Sequence, residues 1–278
     1  NLEALTTYCG DPEAYLALLK VYRVTKAPLE KSIRTASLMW QLRPSSASET
    51  LVQNIVEAAY SEPRSPEIQK QYVDFAEDVW RSSGMTNGRV GITIVNALGP
   101  EQRPRAIRLL LEYLEKVATP NAAVIVNLIS LLRESGAIAD ALMVANRFKA
   151  TAENASFATA WAKLALEKND ASQAKKILAD PYFRIGAIRA EEPITAYRLL
   201  RLAGSEQALS VLAQALDSAM ASRDMQSIRA VADIYFEEGR DREFMMVASE
   251  RLPSSLFEEI QIERRSGLFR RRTAKYSN

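Results

Sequence analysis

The chain has 278 residues, 47% hydrophobic and 25% charged, a balance typical of folded proteins and well clear of the low-hydrophobicity, high-charge regime of disorder. Lys and Arg number 36 against 34 Asp and Glu, and a net charge of +2 is too small for the global basic field that sequence-independent nucleic-acid binding needs. Histidine is absent and Cys9 is the single cysteine, which excludes Ser-His-Asp triads, Cys-His dyads, HExxH zinc sites, intrachain disulfides and CxxC motifs.

Apolar residues return every three or four positions almost throughout, and alternating runs bounded by turn residues are missing, so an all-α fold is expected. The chain opens at Asn1 rather than Met, as expected of a processed or trimmed form, and residues 1–20 do not resemble a signal peptide. Runs such as Leu109–Leu111 and Ala122–Val126 fall far short of the roughly 18 residues that span a bilayer. Compartment stays open between cytoplasm and periplasm, since a helical protein needs no disulfides in either. Cys9, near the first helix, is read as incidental rather than as a reactive thiol.

Helix pairs are expected over about 12–43 and 48–82, with Pro44 closing the first. Asp11-Pro12, Ser65-Pro66 and Thr119-Pro120 each offer a capping side chain followed by proline at a first helical position. Ile94, Ala97 and Ala106 mark a further pair, turned by Gly99-Pro100. Downstream, Gly136, Gly204 and Gly239 fall where a tight turn between two helices requires a left-handed backbone, and Asn169 stands in for glycine at the corresponding place.

Ala106, Ala141, Ala174 and Ala208 each stand early in the second helix of a pair, at intervals of 35, 33 and 34 residues. That period resembles the tetratricopeptide (TPR) repeat. The unit from Ala122 to about Ala155 matches best, with Leu128, Leu132, Gly136, Ala141, Ala145 and Phe148 at its pattern positions. The next uses Trp161, Ala162, Ala165 and Ala174; a third uses Ala196, Leu199, Gly204, Ala208, Leu212 and Ala215. A fourth has Val231, Ala232, Tyr235 and Gly239, with Phe244 where a small residue is expected. The resemblance implies a right-handed α-solenoid of about seven TPR-like helix-turn-helix repeats over residues 1–252, clearest over 87–250. Residues 253–278 are expected to form a capping helix, about 255–266, and a basic tail. Ser255 and Glu258 open that helix as a capping box.

Chemistry is hard to find. No GxG triplet or Gly-Lys-Ser/Thr loop occurs, and the adjacent pairs Glu191-Glu192, Glu237-Glu238 and Glu258-Glu259 point about 100° apart on a helix and cannot grip one bond together. Trp40, Trp80 and Trp161 lie on apolar stripes and are read as core rather than as stacking platforms. Met245 and Met246 are read as filling space around Phe244. Neither a catalytic residue, a metal site nor a cofactor is expected.

In TPR arrays the first helix of each pair lines the concave surface, and transferring those positions picks out Arg133, Lys163, Tyr197, Arg201, Arg229, Asp233 and Phe236. This mixture of cations and aromatics suits an acidic or aromatic peptide, while any single member is more often a neutral solvated position than a hot spot. It does not reproduce the Lys-and-Asn clamp with which some TPR proteins hold a C-terminal carboxylate. At the C-terminus Arg264, Arg265, Arg270, Arg271, Arg272 and Lys275 form a basic tail without an interleaved acid. Its readings are a contact to nucleic acid or anionic lipid, a docking strand for an acidic partner, or a solvated end. The expected function is a non-enzymatic scaffold or adaptor for a protein or peptide partner, of the kind degenerate arrays serve in bacterial assembly or secretion complexes. The alternatives are a helical-repeat RNA binder, disfavoured because regularly placed base-reading side chains are missing, and the recruiting domain of a larger enzyme.

Overall fold

The computed structural model describes residues 12–25, 27–42, 66–82, 84–85 and 87–265. Among them the chain is helical and contains no strand. Cys9, Pro44, the first half of the pair expected at 48–82, and the tail from residue 266 lie outside the described residues, as does the side chain of Trp40. No helix among the described residues is long and apolar enough to cross a membrane. Contacts divide the chain into two compact units, Asn1–Lys149 and Ala150–Asn278.

The first unit contains α1 (Pro12–Val24), α2 (Leu29–Leu42), α3 (Pro66–Ser82), α4 (Gly88–Ala97), α5 (Arg103–Lys116), α6 (Ala122–Glu134) and α7 (Ile138–Arg147). Neighbours in sequence pack on one another, α1 on α2, α3 on α4, α5 on α6 and α6 on α7, and α4 also reaches α6. Pro12 and Pro66 open their helices as expected. Beside Pro120 the start falls later than expected: Asn121, not Thr119, caps α6, its Oδ1 accepting from the Ala123 N–H at 2.8 Å. Asn offers the same acceptor one residue beyond the proline, and so competes successfully for the cap.

Trp80 joins three helices. Its ring is 1% exposed and lies against Gly91 of α4, where an added Cβ would stand 2.3 Å from Cη2. The indole Nε1 donates to the Asn87 carbonyl at 2.9 Å, and the ring stacks on Tyr113 of α5 with centroids 5.8 Å apart. Glycine is needed at Gly91 because a large ring occupies the place of its side chain.

The second unit contains α8 (Ala155–Glu167), α9 (Ala171–Ala179), α10 (Ile185–Glu191), α11 (Pro193–Leu202), α12 (Ala208–Ser222), α13 (Met225–Glu237), α14 (Asp241–Arg251) and α15 (Ser254–Arg265). α8 packs on α9, α10 and α11, after which α11–α12, α12–α13, α13–α14 and α14–α15 follow in order. The two-turn helix α10 lies within an unchanged anchor interval, 34 residues from Ala174 to Ala208, so the period alone does not announce it. Helix α15 begins at Ser254, one residue before the expected cap, so Ser255 stands in its first turn, and the Pro253 carbonyl accepts from the Leu256 and Phe257 N–H groups.

One turn recurs along the chain. The N–H groups of Ala137, Asp170, Ser205 and Arg240 donate to the carbonyls of Leu132, Ala165, Leu200 and Tyr235 at 2.8–3.0 Å, the six-to-one bond of a Schellman motif. The residue before each donor is left-handed: Gly136 (φ +75°), Asn169 (φ +50°), Gly204 (φ +73°) and Gly239 (φ +70°). Each turn is followed three or four residues later by a buried anchor, Ala141, Ala174, Ala208 or Phe244, none more than 2% exposed. Phe244 fills the fourth of these places by packing edge-on against Phe236, with ring centroids 5.4 Å apart, and against Tyr235. Trp161 is 1% exposed and belongs to the core, as expected, whereas Met246 is 58% exposed and fills no gap.

Candidate functional site

In the second unit the residues picked out by the repeat pattern stand on α8, α11 and α13, and most of them are held by acids on a following element. Lys163 Nζ lies 2.9 Å from Glu192 Oε2, and Thr195 Oγ1 donates to the same oxygen at 2.8 Å. Arg201 grips Glu238 with two parallel bonds, Nε to Oε1 at 3.0 Å and Nη2 to Oε2 at 3.1 Å. Tyr197, 3% exposed, donates its hydroxyl to Glu238 Oε1 at 2.6 Å. Arg229 bonds Glu263 through Nε at 3.0 Å and also reaches Glu259. These acids stand 29 to 37 residues beyond their cations, close to the spacing of the recurrent turns, so the signal was present in the sequence although Glu192, Glu238, Glu259 and Glu263 were not singled out.

Phe236 and Asp233 are half-buried on α13. The Arg264 guanidinium lies 5.7 Å from the Phe236 ring centre while its Nη2 bonds Asp241 Oδ2 at 3.0 Å, so Arg264, expected in an acid-free tail, is helical and ion-paired. Arg265 ends the same helix, exposed; Arg270, Arg271, Arg272 and Lys275 lie outside the described residues. Arg133 belongs to the first unit, half-buried near the end of α6.

Hydrogen bonds from Arg201 and then Tyr197 hold the Glu238 carboxyl below its ordinary range, and burial followed by Glu238 pushes the Tyr197 phenol up. In the unfolded chain Glu238 takes up its proton at a higher pH than in the fold. Its contribution to stability is therefore present above that pH and lost as pH falls through the folded value. Glu238→Gln is expected to flatten the acid limb of the stability curve between about pH 5 and 3, measured by denaturant titration at each pH. The same acid limb in wild type and variant would show that the carboxylate is not held. Above about pH 10 the unfolded phenol ionises before the buried one, so stability falls there, and Tyr197→Phe should remove that part of the alkaline loss.

Beside this row a cleft of about 560 Å³ opens at α10, lined by Lys163, Arg189, Glu192, Thr195, Ser218 and Val231 among others. A second cleft of about 410 Å³ shares Arg189, Ala190, Pro193 and Ser218 with it. Neither was foreseen, because both depend on α10.

The first unit holds a charged cluster of its own. Glu77, 9% exposed, accepts from Arg81 Nε and Arg105 Nε at 2.9 Å each; Asp74 pairs with Arg105 at 2.6 Å, and Glu112 bridges Arg81 and Lys116. Three acids and three cations compensate one another and clamp α3 to α5. Among the described residues no group of three His, Cys, Asp or Glu side chains is placed to hold a metal ion.

No protein-family model matches the chain, and the curated proteins contain no significant match.

Proposed function

We propose that this protein is a helical-repeat scaffold of TPR-like character, its helix pairs stacked as a solenoid and its first helices presenting a surface to a protein or peptide partner. The observation that carries this reading is the recurrent turn-plus-anchor unit from Leu132 to Phe244, whose turn donors Ala137, Asp170, Ser205 and Arg240 follow one another at 33, 35 and 35 residues. Such a unit cannot bury its apolar side alone, and repeats of this kind extend a surface rather than enclose a reaction centre. A chain without histidine, and with its carboxylates largely engaged by cations where the first helices meet the next element, is better equipped for recognition than for proton transfer. Arg201, 60% exposed although paired with Glu238, and the half-buried Phe236 offer a guanidinium and an aromatic group of the sort that peptide segments complement.

The test is photo-crosslinking from position 201 in cells of the source organism, followed by titration of the captured partner against wild type and Arg201→Glu. The Arg201 side chain is 60% exposed, so the substitution should leave the melting temperature close to that of wild type while weakening the partner at least about tenfold. A partner indifferent to the change would refute the assignment of this surface. Micromolar binding of single-stranded RNA that falls steeply with salt would replace the scaffold reading with the RNA one.

A further inference from the structure

The geometry points to a binding site for a small organic monoanion in the paired clefts at α10, with Arg189 as the group that receives its charge. This inference does not depend on the scaffold reading. The larger cleft, about 560 Å³, has the volume of a small-molecule site. Its two cations differ in kind. Lys163 is neutralised by Glu192, whose other contact is Thr195. Arg189, half-buried where the two clefts adjoin, reaches one acceptor among the described residues, the neutral Gln207 amide at 2.7 Å, and its Nε–H is shielded from solvent and bonds nothing. The Nε–H is closed to solvent and therefore to a ligand atom, but the guanidinium keeps further donors beyond the one given to Gln207, and such a planar fork is the group best shaped for a carboxylate. Lys163, Arg201, Arg229 and Arg264, by contrast, are each spent on an acid.

Walls and charges narrow the ligand. Pro193, Ala219 and Val231 give the larger cleft apolar sides, and Ser218 and Ser222 line it with hydroxyls. Glu191 and Glu192 also line it, so a second negative charge on the ligand would meet repulsion. A monocarboxylate with a short branched apolar body satisfies all of these features. The site lies where α10 adds a further helix to those packed on α8.

The experiment is an NMR titration of the full chain with 3-methylbutanoate and, separately, with its neutral amide, following the backbone signals of Ile194, Thr195 and Ser218. Saturable shifts are expected with the acid, with the amide at least about tenfold weaker. Arg189→Gln should weaken the acid by a similar factor. Gln207→Glu places a carboxylate where the amide now accepts and pairs Arg189 internally, so it should also reduce affinity about tenfold while leaving the melting temperature unchanged or higher. This second variant decides the matter if Arg189→Gln does not fold. Absence of saturation in wild type, equal binding of acid and amide, or unaltered affinity in both variants would each overturn the site. Partner capture from position 201 reports on the scaffold separately.

Discussion

Gly91→Ala is expected to destabilise the first unit by about 1–3 kcal/mol, against the usual direction of a glycine-to-alanine change in a helix. Alanine in a helix interior is ordinarily better than glycine by up to about 1 kcal/mol. Here the added methyl would lie 2.3 Å from Trp80 Cη2 and 2.6 Å from Cζ2, well inside contact distance. The indole has little room to retreat, because its Nε1 is bonded to the Asn87 carbonyl, its ring is stacked on Tyr113 and it is 1% exposed. The overlap therefore outweighs the propensity gain. Gly186 in α10 supplies the internal control, since a Cβ there meets nothing within 4 Å and Gly186→Ala should gain about 0.4–1 kcal/mol. Midpoints of chemical denaturation of the two variants should move in opposite directions; a Gly91→Ala midpoint at or above wild type would mean that the Trp80 ring does not occupy that place.

Ala174→Trp carries the second large effect. Ala174 is the fourth residue of α9, is 0% exposed, and donates its N–H to the Asp170 carbonyl at 2.9 Å as the helix begins. An indole has no space beside the adjoining α8 and α11, so the helices must separate at a cost of at least about 1–3 kcal/mol. The neighbouring Ser172 is exposed, and Ser172→Trp should stay within about 0.5 kcal/mol of wild type. Equal midpoints for the two tryptophan variants would break the assignment of Ala174 to the buried anchor row, and with it the alignment on which the repeat reading rests.

Much of the helical framework was legible because its causes are local. A left-handed residue followed by a small one is a matter of backbone sterics, so Gly136, Gly204 and Gly239 could be placed at their turns, and Asn169 recognised as their substitute, from residue type and spacing alone. Trp80 and Trp161 were assigned to the core by periodicity, and both are buried. Caps were less secure, since Thr119 and Asn121 are both competent acceptors two positions apart and only the path of the chain past Pro120 chooses between them. The short helix α10 escaped because seven residues carry too few turns for a period to register.

The candidate site was legible to a smaller degree. Lys163, Tyr197, Arg201 and Arg229 were identified by position, but their engagement with Glu192, Glu238 and Glu263 depends on which helix faces reach one another. Arg189 offered no signal at all: as one arginine among many it becomes distinctive only when its neighbours leave it without a carboxylate.

The sequence by itself determined the helical class, the turn positions and the buried anchors Ala141, Ala174 and Ala208, because each follows from the conformational preference of one or two residues and the periodic placement of apolar side chains. Tertiary structure alone decided which charges are spent and which remain available. Pairing requires side chains some thirty residues apart to come within about 3 Å, and that distance is set by packing between helices, which no single residue encodes.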